Sequence, residues 1–168
     1  MNLPDDQLGD TRELHLAWLD FYRETVERKL DGLSEVELRT SRLPSGWSPL
    51  ELLKHLVFME RRWLRWGFAA EPFEQPFGDS AGVDDGPWRL APEDNLDNLL
   101  VALRAGGVRA REIVVGDLAA KAAVGGRFRV LAEAPTLNWI LFHVLQEYAR
   151  HVGQLDIARE LADGTTGE

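Results

Sequence analysis

The chain has 168 residues, with 28 acidic and 19 basic side chains and a net charge of -9. At 45% hydrophobic and 28% charged it belongs with globular chains, and its length suits a single domain, 1–168, with a real core. The acidic balance argues against nucleic acid, whose phosphates need a basic face, and against an anionic membrane surface.

No stretch approaches the roughly 20 apolar residues of a membrane span. The N-terminal MNLPDDQLGD is acidic and lacks the apolar core of a signal peptide, so the cytoplasm is the expected compartment. Cysteine is absent, which excludes disulfides, thiolate metal sites and a cysteine nucleophile. Metal chemistry in this chain rests on histidines and carboxylates.

Four helical stretches follow in order. Over about residues 8–33, His15, Trp18, Leu19, Tyr22, Val26, Leu30 and Leu33 recur at helical spacing, and Asp31-Gly32 supplies a stop. The second helix starts sharply: Ser48 reads as N-cap, Pro49 as the first helical residue and Glu51 as the partner of a capping box. It is expected to reach Phe68, with Leu52, Leu56, Met59, Trp63 and Trp66 as its apolar stripe. The segment 69–91 is rich in proline, glycine and acids and reads as a long loop, the kind that is functional or mobile. A third helix is expected from Pro92 or Glu93 to about Leu118, with an irregularity at Gly106-Gly107, where each glycine costs roughly 1 kcal/mol relative to alanine. Residues 119–135 read as a connection, extended or holding a short strand. The fourth helix begins near Thr136 and stops at Asp163-Gly164. Four amphipathic helices with little strand signal predict an all-α bundle.

There are four histidines: His15, His55, His143 and His151. On the wheel of the fourth helix His151 lies about 40° from the apolar centre, Glu147 about 80° and His143 about 120°. The i, i+4 spacing of Glu147 and His151 lets both reach one ion. His55 flanks the stripe of the second helix. One histidine from one helix and an E-x-x-x-H pair from another give the three-ligand, open site of a catalytic metal. The same residues have plain readings. His55 also reads as a hydrogen-bonded core histidine, and Glu147 as a surface partner of Arg150 or Arg159. His15 lies on the first stripe, as a core residue or a pocket wall. No phosphate-binding glycine pattern and no nucleophile elbow are present.

WSPLELLKHLVFMERRWLRWGFA, PWRLAPEDNLDNLL and WILFHVLQEYARHVGQLDIARELADGTTGE together resemble the DinB superfamily. Within it they resemble the actinobacterial branch related to mycothiol-dependent transferases and to the N-terminal domain of mycothiol-dependent maleylpyruvate isomerase. The resemblance spans nearly the whole chain. It implies a four-helix bundle of up-down-down-up topology, with a divalent metal, zinc or nickel, held by His55, Glu147 and His151. Many relatives place a histidine where Glu147 stands, whereas the isomerases share the His, Glu, His pattern. His143 is the substitute ligand should Glu147 not serve. The isomerases carry a further C-terminal domain that this chain lacks, which speaks against isomerase activity.

Three functions are weighed. The first is a metal-dependent transferase that joins a low-molecular-weight thiol such as mycothiol to an electrophilic small molecule, with His15 as the candidate acid or base. The second is a non-catalytic metal- or ligand-binding stress protein. The third is a structural bundle that forms a homodimer through apolar faces.

Overall fold

A computed structural model describes residues 3–80 and 88–166. Five α-helices form among them: α1 (Thr11–Leu30), α2 (Glu35–Arg39), α3 (Pro49–Glu60), α4 (Leu96–Ile113) and α5 (Leu137–Asp163). The architecture is all-α. No strand forms among the described residues, and 119–135 contributes only isolated bridges, Lys121 with Thr136 and Val124 with Phe128. Residues 81–87 of the expected loop lie outside the described residues.

Side-chain caps set the helix starts. Asp10 accepts from the backbone N–H groups of Arg12 and Glu13, so α1 begins at Thr11 rather than near Leu8. Asn95 accepts from Asn98 N–H and Thr136 from Trp139 N–H, opening α4 and α5. α4 is therefore shorter at both ends than the periodicity suggests. The Ser48–Glu51 capping box forms as read, with Pro49 in the first turn. Gly32 and Gly164 take the left-handed conformation that stops α1 and α5. α2 is absent from the sequence reading. Its own capping box, Ser34 with Glu37, holds it, but five residues are too few to show a period.

The core is one cluster drawn from every helix. α1 packs against α4 and α5, and α3 packs against the same two helices, so α1 and α3 occupy opposite corners. That position explains why α3 is buried around most of its circumference, with Leu50, Leu52, Leu53, Leu56 and Met59 essentially inaccessible.

Beyond Glu60 the helix does not continue as α. Arg61–Phe68 widens into a π-helical segment, closed by a bond from Ala69 N–H to Leu64 O of 3.0 Å. Gly67 sits in it because a Cβ there would lie 2.8 Å from the Arg62 carbonyl oxygen. The connection 119–135 docks on this segment through Arg127 N–H to Trp66 O and Ala123 N–H to Phe68 O. Trp63 and Trp66 are half-buried rather than core, and Trp63 packs with Phe128, Trp139 and His143.

α4 runs without a break through Gly106-Gly107, contrary to the expected irregularity. A Cβ on Gly107 would meet Arg23 Cδ and Nε at 3.2 Å, and one on Gly106 would meet Glu60 Oε1 at 3.2 Å. The glycines make room for a buried ion pair. Gly107→Ala should therefore destabilise by about 1–2 kcal/mol, because Arg23 is pinned and overpacking outweighs the gain in helix propensity. Gly153 of α5 has open space around its Cβ position, so Gly153→Ala should stabilise by about 0.5–1 kcal/mol. Urea denaturation of both variants checks the opposite signs.

Candidate metal centre

α3 and α5 meet where His55, Glu147 and His151 stand. The Ser48 cap fixes the start of α3 seven residues before His55, and the i, i+4 spacing stacks Glu147 under His151 on α5. Glu147 Oε2 lies 3.2 Å from His151 Nε2 and 3.6 Å from His55 Nε2. One donor atom from each residue falls within 4.8 Å of the other two. Both histidines are buried, and the carboxylate is half-buried.

Each imidazole is held from behind. His55 Nδ1 is 3.0 Å from Asp79 Oδ2, and His151 Nδ1 is 2.6 Å from Gln154 Oε1. Arg62 grips Asp79 with both terminal nitrogens, at 2.5 and 3.0 Å. Trp88 stacks on the His55 ring at 4.0 Å, and Trp47 stacks on the far face of Trp88 at 4.1 Å. The Trp88 and Trp47 rings also stand edge-on to His151, at 5.3 and 5.9 Å. Two indoles thus wall one side of the cluster.

Hydrogen bonding with His151, and then the close approach of the His55 ring, holds the Glu147 carboxyl far below the usual carboxylate range against its burial. Burial would raise Asp79, but its bonds to His55 and Arg62 prevail and keep it low. Both carboxylates are ionised.

These residues fit a divalent cation. His55 Nε2 is buried and has no hydrogen-bond partner, although it faces a carboxylate oxygen. With Asp79 accepting from Nδ1, a neutral His55 ring turns its Nε2 lone pair toward Glu147 Oε2. A lone pair and an anionic oxygen repel one another, and a cation between them removes that repulsion. Two imidazole nitrogens and one carboxylate are a borderline-to-hard donor set, and three protein ligands leave a position for a further molecule.

His143 lies outside this group. Its ring stacks on Trp139 and packs against Trp63, so the substitute role has no geometric need. Glu147 turns to the histidines rather than to Arg150 or Arg159, and Arg159 pairs with Asp163 and the carbonyls of Lys29 and Asp31. His15 is buried against Asn138 and Phe142, and burial lowers its pKa against the opposing bond to Asn138. Asn138 and His151 are about 20 Å apart along α5, so the structure does not bring His15 to the cluster. Asp79, Arg62, Gln154, Trp47 and Trp88 are the surrounding residues that sequence reasoning missed. A signal existed for Arg62, which stands seven residues after His55 and so on the same helix face. Gln154 likewise follows His151 by three.

The fold and the cluster define a helical bundle protein with a His/Glu/His donor set shared between two helices. The mycothiol-S-transferase family model matches residues 14–164, and the chain belongs to that family. The chain is also similar to the crystal structure of a conserved protein from Enterococcus faecalis. That match has a TM-score of 0.64 and 17% identity and covers 93% of this chain and 99% of the other, a likeness of fold. A curated relative is the dihydrofolate synthase/folylpolyglutamate synthase of Escherichia coli (strain K12), 28% identical over 134 residues. The match covers 77% of this chain but 32% of that enzyme, so the chain spans about a third of its length. Among the described residues no helix is long and apolar enough to cross a membrane.

Proposed function

We propose that the protein is a metal-dependent S-transferase that joins a low-molecular-weight thiol of the mycothiol type to an electrophilic small molecule. His55, Glu147 and His151 hold the ion, zinc or nickel. The observation that carries this reading is the convergence of three donor atoms within 4.8 Å, one of them a buried imidazole nitrogen with no hydrogen-bond partner. Family membership supports the thiol.

A divalent ion bound there supplies Lewis acidity, lowering the pKa of a coordinated thiol so that thiolate predominates near neutrality. The chain's own residues do the rest. Asp79 and Gln154 orient the two imidazoles. Trp47 and Trp88 keep water from one flank, which strengthens the electrostatics inside. In the transfer the sulfur lone pair forms the new carbon–sulfur bond, the thiol proton leaves to solvent, and the leaving group departs with its bonding pair.

The test incubates metal-loaded protein with mycothiol and a panel of alkyl halides and epoxides, with conjugates read by mass spectrometry. Turnover should fall at least about 100-fold in His151→Ala, since a ligand matters more than the outer partners that cost 10–100-fold. Unchanged activity in that variant sinks the mechanism. Tight metal binding without turnover on any thiol would instead favour a binding protein.

A further inference from the structure

Burying a full ion pair beside a metal ligand is costly, and orientation alone does not require it. His151 shows this: a neutral amide, Gln154, suffices behind its Nδ1. Behind His55 the chain instead spends a carboxylate and an arginine, with Asp79 1% and Arg62 6% exposed.

The geometry of that pair is specific. His55 and Arg62 share a helix face about two turns apart, and Asp79 reaches between them from the loop. Its Oδ2 meets His55 Nδ1 at 3.0 Å and Arg62 Nη2 at 3.0 Å, while Oδ1 takes Arg62 Nη1 at 2.5 Å. Two described residues hold it in place. Arg89 N–H donates to Asp79 O at 3.0 Å, and the neighbouring Trp88 covers the His55 ring. A carboxylate makes a stronger acceptor than an amide and raises the basicity of the imidazole it holds. Arg62 cancels the charge that Asp79 brings.

We propose that Asp79 and Arg62 are a charge-balanced positioning pair. Asp79 sets the His55 lone pair toward the ion, and Arg62 keeps the loaded site at one net positive charge, matched to a single monoanionic donor. The inference rests on the metal reading above. Among the described residues in hydrogen-bond contact with the site, Asp79 and Arg62 cancel. Glu147 offsets one of the two charges of a divalent ion. One thiolate then neutralises the site, and a second anion would enter against repulsion in a half-buried, low-dielectric setting. The pair thus selects a thiolate with no second charge at its sulfur end.

The experiment uses the full chain loaded with cobalt(II), at one fixed pH. Cobalt affinity is read by chelator competition. The affinity for 2-mercaptoethanol is read from the sulfur-to-cobalt charge-transfer band. Asp79→Asn should weaken cobalt binding about 10–100-fold. Once loaded, it should bind the thiolate more tightly, since the site gains a positive charge. Arg62→Met should do the reverse, holding cobalt while losing about tenfold or more in thiolate affinity. The double variant should return thiolate affinity to near that of the unmodified protein. Arg62→Lys keeps the charge but not the two-pronged grip on Asp79, so it should lose less thiolate affinity than Arg62→Met. If Arg62→Met does not fold, Asp79→Asn and the double variant carry the test. Equal cobalt affinity in Asp79→Asn, or thiolate shifts of the same sign in the two single variants, overturns the inference and leaves the metal reading standing. An unmodified protein that takes up no cobalt overturns both.

Discussion

Glu60→Leu is expected to destabilise the fold by about 3–5 kcal/mol, the cost of leaving a buried charge without its partner. Glu60 Oε2 accepts three hydrogen bonds: from Arg23 Nε at 3.1 Å, Arg23 Nη2 at 2.9 Å and the Tyr148 hydroxyl at 2.7 Å. Arg23 and Glu60 are 5% and 4% exposed, and Tyr148 is fully buried. Burial, then the Glu60 charge, drives the Tyr148 pKa well above its usual value, so the phenol stays a donor. Asp20 still holds Arg23 Nη1 at 2.6 Å, which places the loss toward the lower end. Removing both charges in Arg23→Met/Glu60→Leu should recover part of the stability, because the desolvation cost of the charges disappears while the buried Tyr148 hydroxyl still lacks its acceptor. Denaturant unfolding of the single and double variants reads this directly. A loss below about 1 kcal/mol in the single variant would mean that the network contributes little. The network also bears on function. Glu60 follows His55 by five residues and Tyr148 adjoins Glu147, so the same bonds that tie α1, α3 and α5 together set the spacing of the candidate centre.

The second large effect is on metal affinity. His55→Ala and Glu147→Gln should each weaken binding of zinc by more than about 100-fold. Gln154→Ala should stay within the 10–100-fold range of an outer partner. The ranking follows from the geometry: His55 Nε2 and Glu147 Oε2 face one another at 3.6 Å, while Gln154 acts only through His151 Nδ1. Competition against a chromogenic chelator gives the three affinities. A Gln154→Ala defect as large as that of His55→Ala would place the ion elsewhere.

What the sequence makes legible is what short-range chemistry decides. Ser48, Pro49 and Glu51 announce the start of α3, and Asp31-Gly32 and Asp163-Gly164 announce two ends, because caps depend on neighbours within one turn. The helical wheel places His151 nearest the core, and the structure has it buried while Glu147 and His143 are both half-buried. What depends on distant contacts is not legible. The π segment needs the docking of 119–135 and the close approach at Gly67. Gly106-Gly107 reads as a weak point until the Arg23–Glu60 pair behind it is known. Asp79 comes from a loop without periodicity, so nothing in its spacing ties it to His55. Spacing leaves the pairing of His55 with the α5 residues open, and the family resemblance implies it. Its geometry rests on how α3 packs on α5.

His55, Glu147 and His151 are expected to hold one divalent ion. The most direct measurement is the metal content of the protein purified without added metal or chelating resin, beside His55→Ala and His151→Ala. About one ion per chain is expected in the unmodified protein, lost in both variants. No metal in the unmodified protein, and none taken up from zinc or nickel, would contradict it and leave the three side chains as a buried polar cluster.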